Sequence, residues 1–156
     1  MDKPFKIGPF SFVDVNVTTN RPPTIEDFEE AISQIAWMQR NMYWWIGRLI
    51  VMGERFHGDD VYQATDGSWS PDLLQRCIAI ASKFPAKECN PRLSWSHHVA
   101  VTKLPPALRS IALQMAEEEG WTSTDLTKYV RSGAAKGEML ERLETSQDDD
   151  TVGSQD

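Results

Sequence analysis

The sequence predicts an all-α protein: a multi-helix domain with a helix-turn-helix, an N-terminal extended arm and a disordered acidic C-terminal tail. Three observations carry the prediction. Apolar residues recur at three- and four-residue spacings over a long stretch that begins at Thr24. Turn and cap signals then divide Tyr62 to Arg131 into short helical pieces. From Glu144 onward the chain is polar and acidic, a composition that cannot bury a core. The expected divisions are an arm over 1–23, a helical domain over 24–143 and a tail over 144–156.

The arm contains Phe10-Ser11-Phe12-Val13-Asp14-Val15-Asn16-Val17, whose alternation fits a short strand or extended segment. No partner strand is visible, so the segment is expected to pack on the body or to pair in a dimer. Arg21-Pro22-Pro23 ends it, because proline cannot continue a ladder and holds the preceding residue extended. Thr24 then caps a long helix, with Glu26, Asp27, Glu29 and Glu30 suited to its N-terminal dipole. Phe28, Ile32, Ile35, Trp37, Met38, Met42, Trp45, Ile46, Leu49 and Ile50 form a broad apolar face, and Trp44 and Tyr43 also need cover. This helix is expected to run through the domain centre or into a dimer interface, and to break at Gly53. Trp37, Trp44 and Trp45 are its candidate dimer or partner contacts.

A short helix over 59–65 leads to the turn Asp66-Gly67-Ser68. Ser70 is a suitable N-cap and Pro71 suits the first helical position, so a helix is predicted to Lys83. Leu74, Cys77, Ile78 and Ala81 would face inward; Asp72, Gln75, Arg76, Ala79 and Lys83 would face outward. Phe84-Pro85 closes it, and 85–93 reads as a loop. Ser94 caps a helix to about Lys103, and Pro105-Pro106 opens another that ends at Gly120 with a left-handed cap. Thr122 or Ser123 caps a last helix to about Arg131, with one or two further turns over 134–143.

A helix-turn-helix holds its second helix so that N-terminal side chains reach base edges in the major groove. Here that helix is Ser70–Lys83. Gln75 and Arg76 suit base edges, Ser68 and Ser70 suit phosphates, and Lys83 and Lys87 suit the backbone further along. Asp72 opposes phosphate unless it accepts from a cytosine amine or holds Arg76 across one turn.

The same stretch resembles the DNA-binding core of ParB-type partition proteins and their plasmid and phage relatives. The resemblance rests on Asp66-Gly67-Ser68-Trp69-Ser70 for the turn, on Leu93-Ser94-Trp95-Ser96-His97-His98-Val99-Ala100, and on Ala116-Glu117-Glu118-Glu119-Gly120-Trp121-Thr122-Ser123-Thr124-Asp125-Leu126. A similar Leu-Ser-(Trp/Phe)-Ser-His-His block occurs in uncharacterised phage and plasmid proteins. The resemblance covers residues 62–131 only. The chain before it is too short for the nucleotide-binding domain of those proteins, and the chain after it too short for their dimerisation domain. It therefore implies a small site-binding protein, not a CTP-driven sliding clamp.

The net charge is −7, but all 16 basic residues precede residue 144 and five of the 23 acidic ones lie at or after it, which leaves residues 1–143 at −2. A near-neutral body permits a local basic face. A disordered acidic tail folding over a basic groove would be an autoinhibitory device, and truncation at Leu143 would test it.

Other classes are disfavoured. No apolar run reaches the roughly 18 residues of a membrane span, and the N-terminus shows no signal-peptide core. Cys77 and Cys89 form no disulfide framework, which fits a reducing cytoplasm. His97 and His98 point about 100° apart on a helix, and no Cys-x-x-Cys or His-x-x-x-His pair exists, so no metal or other cofactor is expected. One of the two is expected to pack between helices and the other to lie at the surface, near phosphate. Ser94 and Ser96 lie at a helix cap without a nucleophile elbow, and no glycine-rich phosphate loop is present, so no enzymatic activity is expected. Glu117-Glu118-Glu119 reads as a solvated helix end or as a contact for a basic partner.

Two readings compete. In the first, a bacterial, phage or plasmid homodimer binds an inverted repeat in double-stranded DNA and regulates transcription, replication or partition, in the bacterial cytoplasm or nucleoid or in an infected host cell. In the second, a viral or plasmid interaction module binds and inhibits a host protein through its aromatic long helix and acidic surface. Clustering of Arg76, Lys83, Lys87, Arg92 and Arg131 on one face with Gln75 would favour the first; a ring of acidic residues around Ser70–Lys83 would favour the second.

Overall fold

The computed structural model describes residues 3–152. The chain divides into two compact units, Met1–Met42 and Tyr43–Asp156. The expected helices are present, but the N-terminal unit departs from an all-α protein. Strands β1 (Phe5–Ile7), β2 (Phe10–Val13) and β3 (Asn16–Thr19) form an antiparallel sheet in the order β1-β2-β3. The predicted single extended segment is split because Asp14 takes a left-handed φ of 51° and turns the chain back; Gly8, at φ 55°, does the same between β1 and β2. The missing partners of the strand are thus its own neighbours, with Phe5 opposite Phe12 and Phe12 opposite Val17.

Ile7 and Phe10 of this sheet bury themselves with Ala31 of helix α1 (Ile25–His57), and the Phe10 and Phe28 rings lie 5.0 Å apart. Thr24 and Asp27 cap the helix reciprocally: Thr24 N–H donates to Asp27 Oδ2 at 2.8 Å, and Asp27 N–H donates to Thr24 Oγ1 at 3.2 Å. Arg21 grips the same carboxylate through both terminal nitrogens, at 2.6 and 3.0 Å, and holds it well below the usual carboxylate range. Ile32, Ile35 and Met42 of the predicted apolar face are exposed, as is Ile25, so this stretch of α1 does not run through a domain centre.

The second unit is organised around α5 (Pro106–Glu119), which buries Leu108, Ile111, Ala112, Leu113, Met115 and Ala116. Around it are α3 (Pro71–Lys83), α4 (Trp95–Ala100), α6 (Ser123–Arg131) and α7 (Ala135–Val152). Trp44, Ile46 and Ile50 of α1 belong to this core. Gly53 does not end α1. It admits Val61 instead, whose Cγ2 would lie 2.2 Å from an added Cβ. At Gly47 an added Cβ would lie 2.2 Å from the Cys77 carbonyl oxygen, so α1 and α3 touch backbone to backbone there.

Helix α4 is shorter than predicted. After Ala100 the hydrogen bonds tighten to three-residue spacing, from Val101 to His98 and from Thr102 to Val99, ahead of the restriction imposed by Pro105. Gly120 ends α5 in the left-handed conformation, as expected, with φ 68°. The tail predicted to be disordered from Glu144 continues α7 through Val152; no glycine or proline interrupts Glu138 to Val152, and hydroxyls of Thr145 and Ser146 bond back to the preceding turn. Residues 153–156 of that tail lie outside the described residues.

Candidate nucleic-acid interface

The predicted turn and the helix that follows it are both present. A single helical turn, α2 (Val61–Ala64), precedes Thr65–Trp69, where Asp66 and Gly67 both take positive φ. Ser70 Oγ accepts the Leu73 N–H at 3.2 Å, so this hydroxyl is committed to capping α3. Ser68, Gln75, Arg76 and Lys83 are exposed. Leu74, Cys77, Ile80 and Ala81 are buried; Ile80 takes the place expected for Ile78, which is only half-covered.

Arg76 lines a groove of about 440 Å³ between α4 and α6. Lys103 and Arg131 line it too, together with Ser96, Thr102, Ser123, Thr124 and Thr127. No carboxylate contributes to its wall. Among the described residues none of the three cations forms an ion pair. In a chain of net charge −7 this is a local reversal of sign.

The other predicted cations are placed elsewhere. Lys87 lines a separate hollow of about 330 Å³ with Phe84, Glu88 and Arg109. Arg92 pairs with Glu117 at 2.9 Å. Of the cations expected to cluster, Arg76 and Arg131 do so. Lys103 was missed, because residues 76, 103 and 131 are far apart in sequence and share one groove only in the folded chain.

The Leu93-to-Ala100 block has a structural role. Ser94 caps α4, and its N–H and hydroxyl meet His97 Nδ1 at 3.2 and 2.7 Å. His97 Nε2 lies 2.8 Å from the Trp121 carbonyl, which clips α4 to the start of α6. His98 is 1% exposed. Its Nε2 accepts the Asn90 N–H at 3.0 Å, so the ring proton sits on Nδ1 and is donated to the Ser94 carbonyl at 2.8 Å. Trp44 and Phe84 pack edge-on to it, and burial holds its pKa below the ordinary histidine value. The expectation of one packing histidine holds for His98. His97 is half-buried and occupied at both nitrogens rather than free for phosphate.

The acidic end of α5 is solvated at Glu118 and Glu119, as expected, and two of its carboxylates also pair within the chain. Glu117 accepts from Asn90 and Arg92 at 2.6 and 2.9 Å, and Glu118 pairs with Arg142 at 3.0 Å. These donors offset the unfavourable placement of negative charge at a helix C-terminus. Of the three tryptophans expected at an interface, Trp44 is instead part of the core, where it stacks edge-on with Phe84; its neighbour Trp45 and Trp37 are 39% and 52% exposed. Trp44, which needs cover beyond the main apolar face, finds it in the core, whereas Trp45 of that face is left part-exposed.

No helix among the described residues is long and apolar enough to cross a membrane. No family model matches the chain, and no solved structure matches it. The chain is similar to the transcriptional regulator NovE of Streptomyces niveus, with 28% identity over 90 residues. That alignment covers 57% of this chain and 42% of NovE.

Proposed function

We propose that the protein is a sequence-specific DNA-binding regulator of transcription that reads its site with α3, the second helix of a helix-turn-helix formed by α2, the turn and α3. The observation that carries this reading is the convergence of Arg76, Lys103 and Arg131, without an ion pair among the described residues, beside the exposed start of α3. The similarity to a transcriptional regulator supports it. Gln75 and Arg76 are the base-reading candidates, because their amide and guanidinium can bond bidentately to adenine and guanine edges. The protein acts by binding, without catalysis, in the cytoplasm or nucleoid.

A homodimer is part of the proposal, since one helix in one groove seldom supplies enough affinity. The exposed Ile25, Phe28, Ile32, Ile35 and Met42 follow alternating three- and four-residue steps broken only at Gln39, and Leu49 and Phe56 continue the seven-residue spacing in sequence. That is the repeat of a helix that pairs with another helix. The same exposed face favours the second reading, an interaction module that binds a host protein.

Selection of duplex DNA by the purified chain tests the proposal, repeated at two salt concentrations and with Arg76→Ala. An enriched inverted repeat, weakened by salt and lost in the variant, is the expected result. Absence of enrichment and of salt-dependent binding would reject DNA reading and turn the search to a protein partner.

A further inference from the structure

We propose that the groove between α4 and α6 is a phosphate-binding site, with Arg76, Lys103 and Arg131 as its cations and Ser123 and Thr124, at the N-terminus of α6, as its neutral donors. Four observations converge. The three cations share one groove without a carboxylate in its wall. The groove's volume of about 440 Å³ lies within the roughly 300–1,000 Å³ of small-ligand sites. Ser123 and Thr124, the first residues of α6, line the groove, and the N-terminal end of a helix favours an anion. Asp125, the carboxylate nearest that end in sequence, is engaged by the Thr122 N–H at 3.0 Å and does not line the groove.

A phosphate offers the charge to match the three cations and oxygens for charge-assisted hydrogen bonds to them.

Two sources carry this chemistry: the sugar–phosphate backbone of DNA and a free phosphorylated small molecule. The first deepens the DNA-binding reading by giving Lys103, Arg131 and the start of α6 the backbone contacts, with Arg76 of α3 at the border between phosphate and base edge; the site itself does not depend on that reading. The test uses the full chain, the double variant Lys103→Ala/Arg131→Ala, and the charge-matched control Arg40→Ala/Lys136→Ala. All four positions are exposed, and a matching thermal midpoint verifies folding. Binding of a random-sequence duplex is measured by anisotropy across a salt series, and binding of inorganic phosphate by phosphorus NMR line broadening.

If DNA is the source, the double variant loses about tenfold or more in duplex affinity and its log–log salt slope falls by about 1–2, roughly one per phosphate contact, while the control is unchanged. If the duplex does not bind but phosphate broadening is present and disappears only in the double variant, the site stands, a free phosphorylated ligand is its occupant and the DNA reading fails. If the wild type binds neither probe, or the double variant binds both as the wild type does, the proposal is overturned.

Discussion

Replacing His98 with leucine isolates what a single polar side chain contributes inside this core. The imidazole is 1% exposed and bridges the Asn90 N–H to the Ser94 carbonyl. Leucine has similar bulk and neither hydrogen-bonding function. The Ser94 carbonyl retains a bond from the His97 N–H at 3.2 Å, so the larger penalty falls on the Asn90 N–H. An unsatisfied buried group costs about 1–3 kcal/mol, which with a smaller loss at Ser94 predicts a destabilisation of about 2–4 kcal/mol at neutral to alkaline pH. The pH dependence gives an independent signature. Burial lowers the folded-state pKa of His98, so the unfolded chain takes up its proton first as pH falls. The wild-type contribution is complete above pH ~6.5 and is lost as pH falls below it toward the folded value, where charging the ring also removes the acceptor of the Asn90 N–H. Leucine does not titrate. The gap between wild type and variant is therefore widest at about pH 8 and narrows at about pH 5.5. Urea denaturation followed by tryptophan fluorescence reads both quantities. A variant within about 0.5 kcal/mol of wild type at about pH 8, or a gap that widens on acidification, would refute the reasoning.

Three further outcomes follow from the packing. Gly47→Ala gains helix propensity but drives a methyl into the Cys77 carbonyl, a backbone atom that cannot swing aside. A net loss of about 1–3 kcal/mol is expected in thermal or urea unfolding, and a neutral or raised midpoint would show that α1 and α3 separate without cost. Thr122→Ala removes the hydroxyl that accepts the Asp125 N–H at 3.1 Å, and should cost about 1 kcal/mol in the same assay; an effect below a few tenths would mean the capping box is spare. Thiol labelling should separate the cysteines. Cys77 is fully buried with its pKa raised by burial, so it should react only on unfolding, whereas half-buried Cys89, also raised by burial and facing Arg48 at 3.5 Å, should label slowly in the folded chain. Peptide mapping that finds Cys77 modified first would contradict the core assignment.

Much of the helical layout was legible because local signals decide local structure. Ser70 with Pro71, Pro106, Gly120 and Thr122 each act within one turn of their own position, and each marks a boundary found in the fold. Elsewhere local reading failed where competition is non-local. Gly53 reads as a helix breaker, yet α1 passes through it, and the missing side chain makes room for Val61 instead. The alternation from Phe10 to Val17 reads as one strand, but a left-handed Asp14 folds it into a hairpin whose partners are adjacent in the chain. Adjacent Trp44 and Trp45 have the same chemistry and opposite fates, since about 100° of helical rotation sends one into the core and leaves the other 39% exposed.

The candidate site shows the same division. The sequence by itself determined that α3 would begin at Pro71 under a serine cap and present Gln75 and Arg76 to solvent, because helical periodicity and capping chemistry are properties of a few consecutive residues. Only the tertiary structure decided that Arg76 would meet Lys103 and Arg131 in one groove, and that Lys87 and Arg92 would be drawn away to other neighbours. The approach of Lys103 to Arg131 depends on how α4 packs against α6, where Trp95 and Leu126 are buried and His97 meets the Trp121 carbonyl, rather than on the cations themselves.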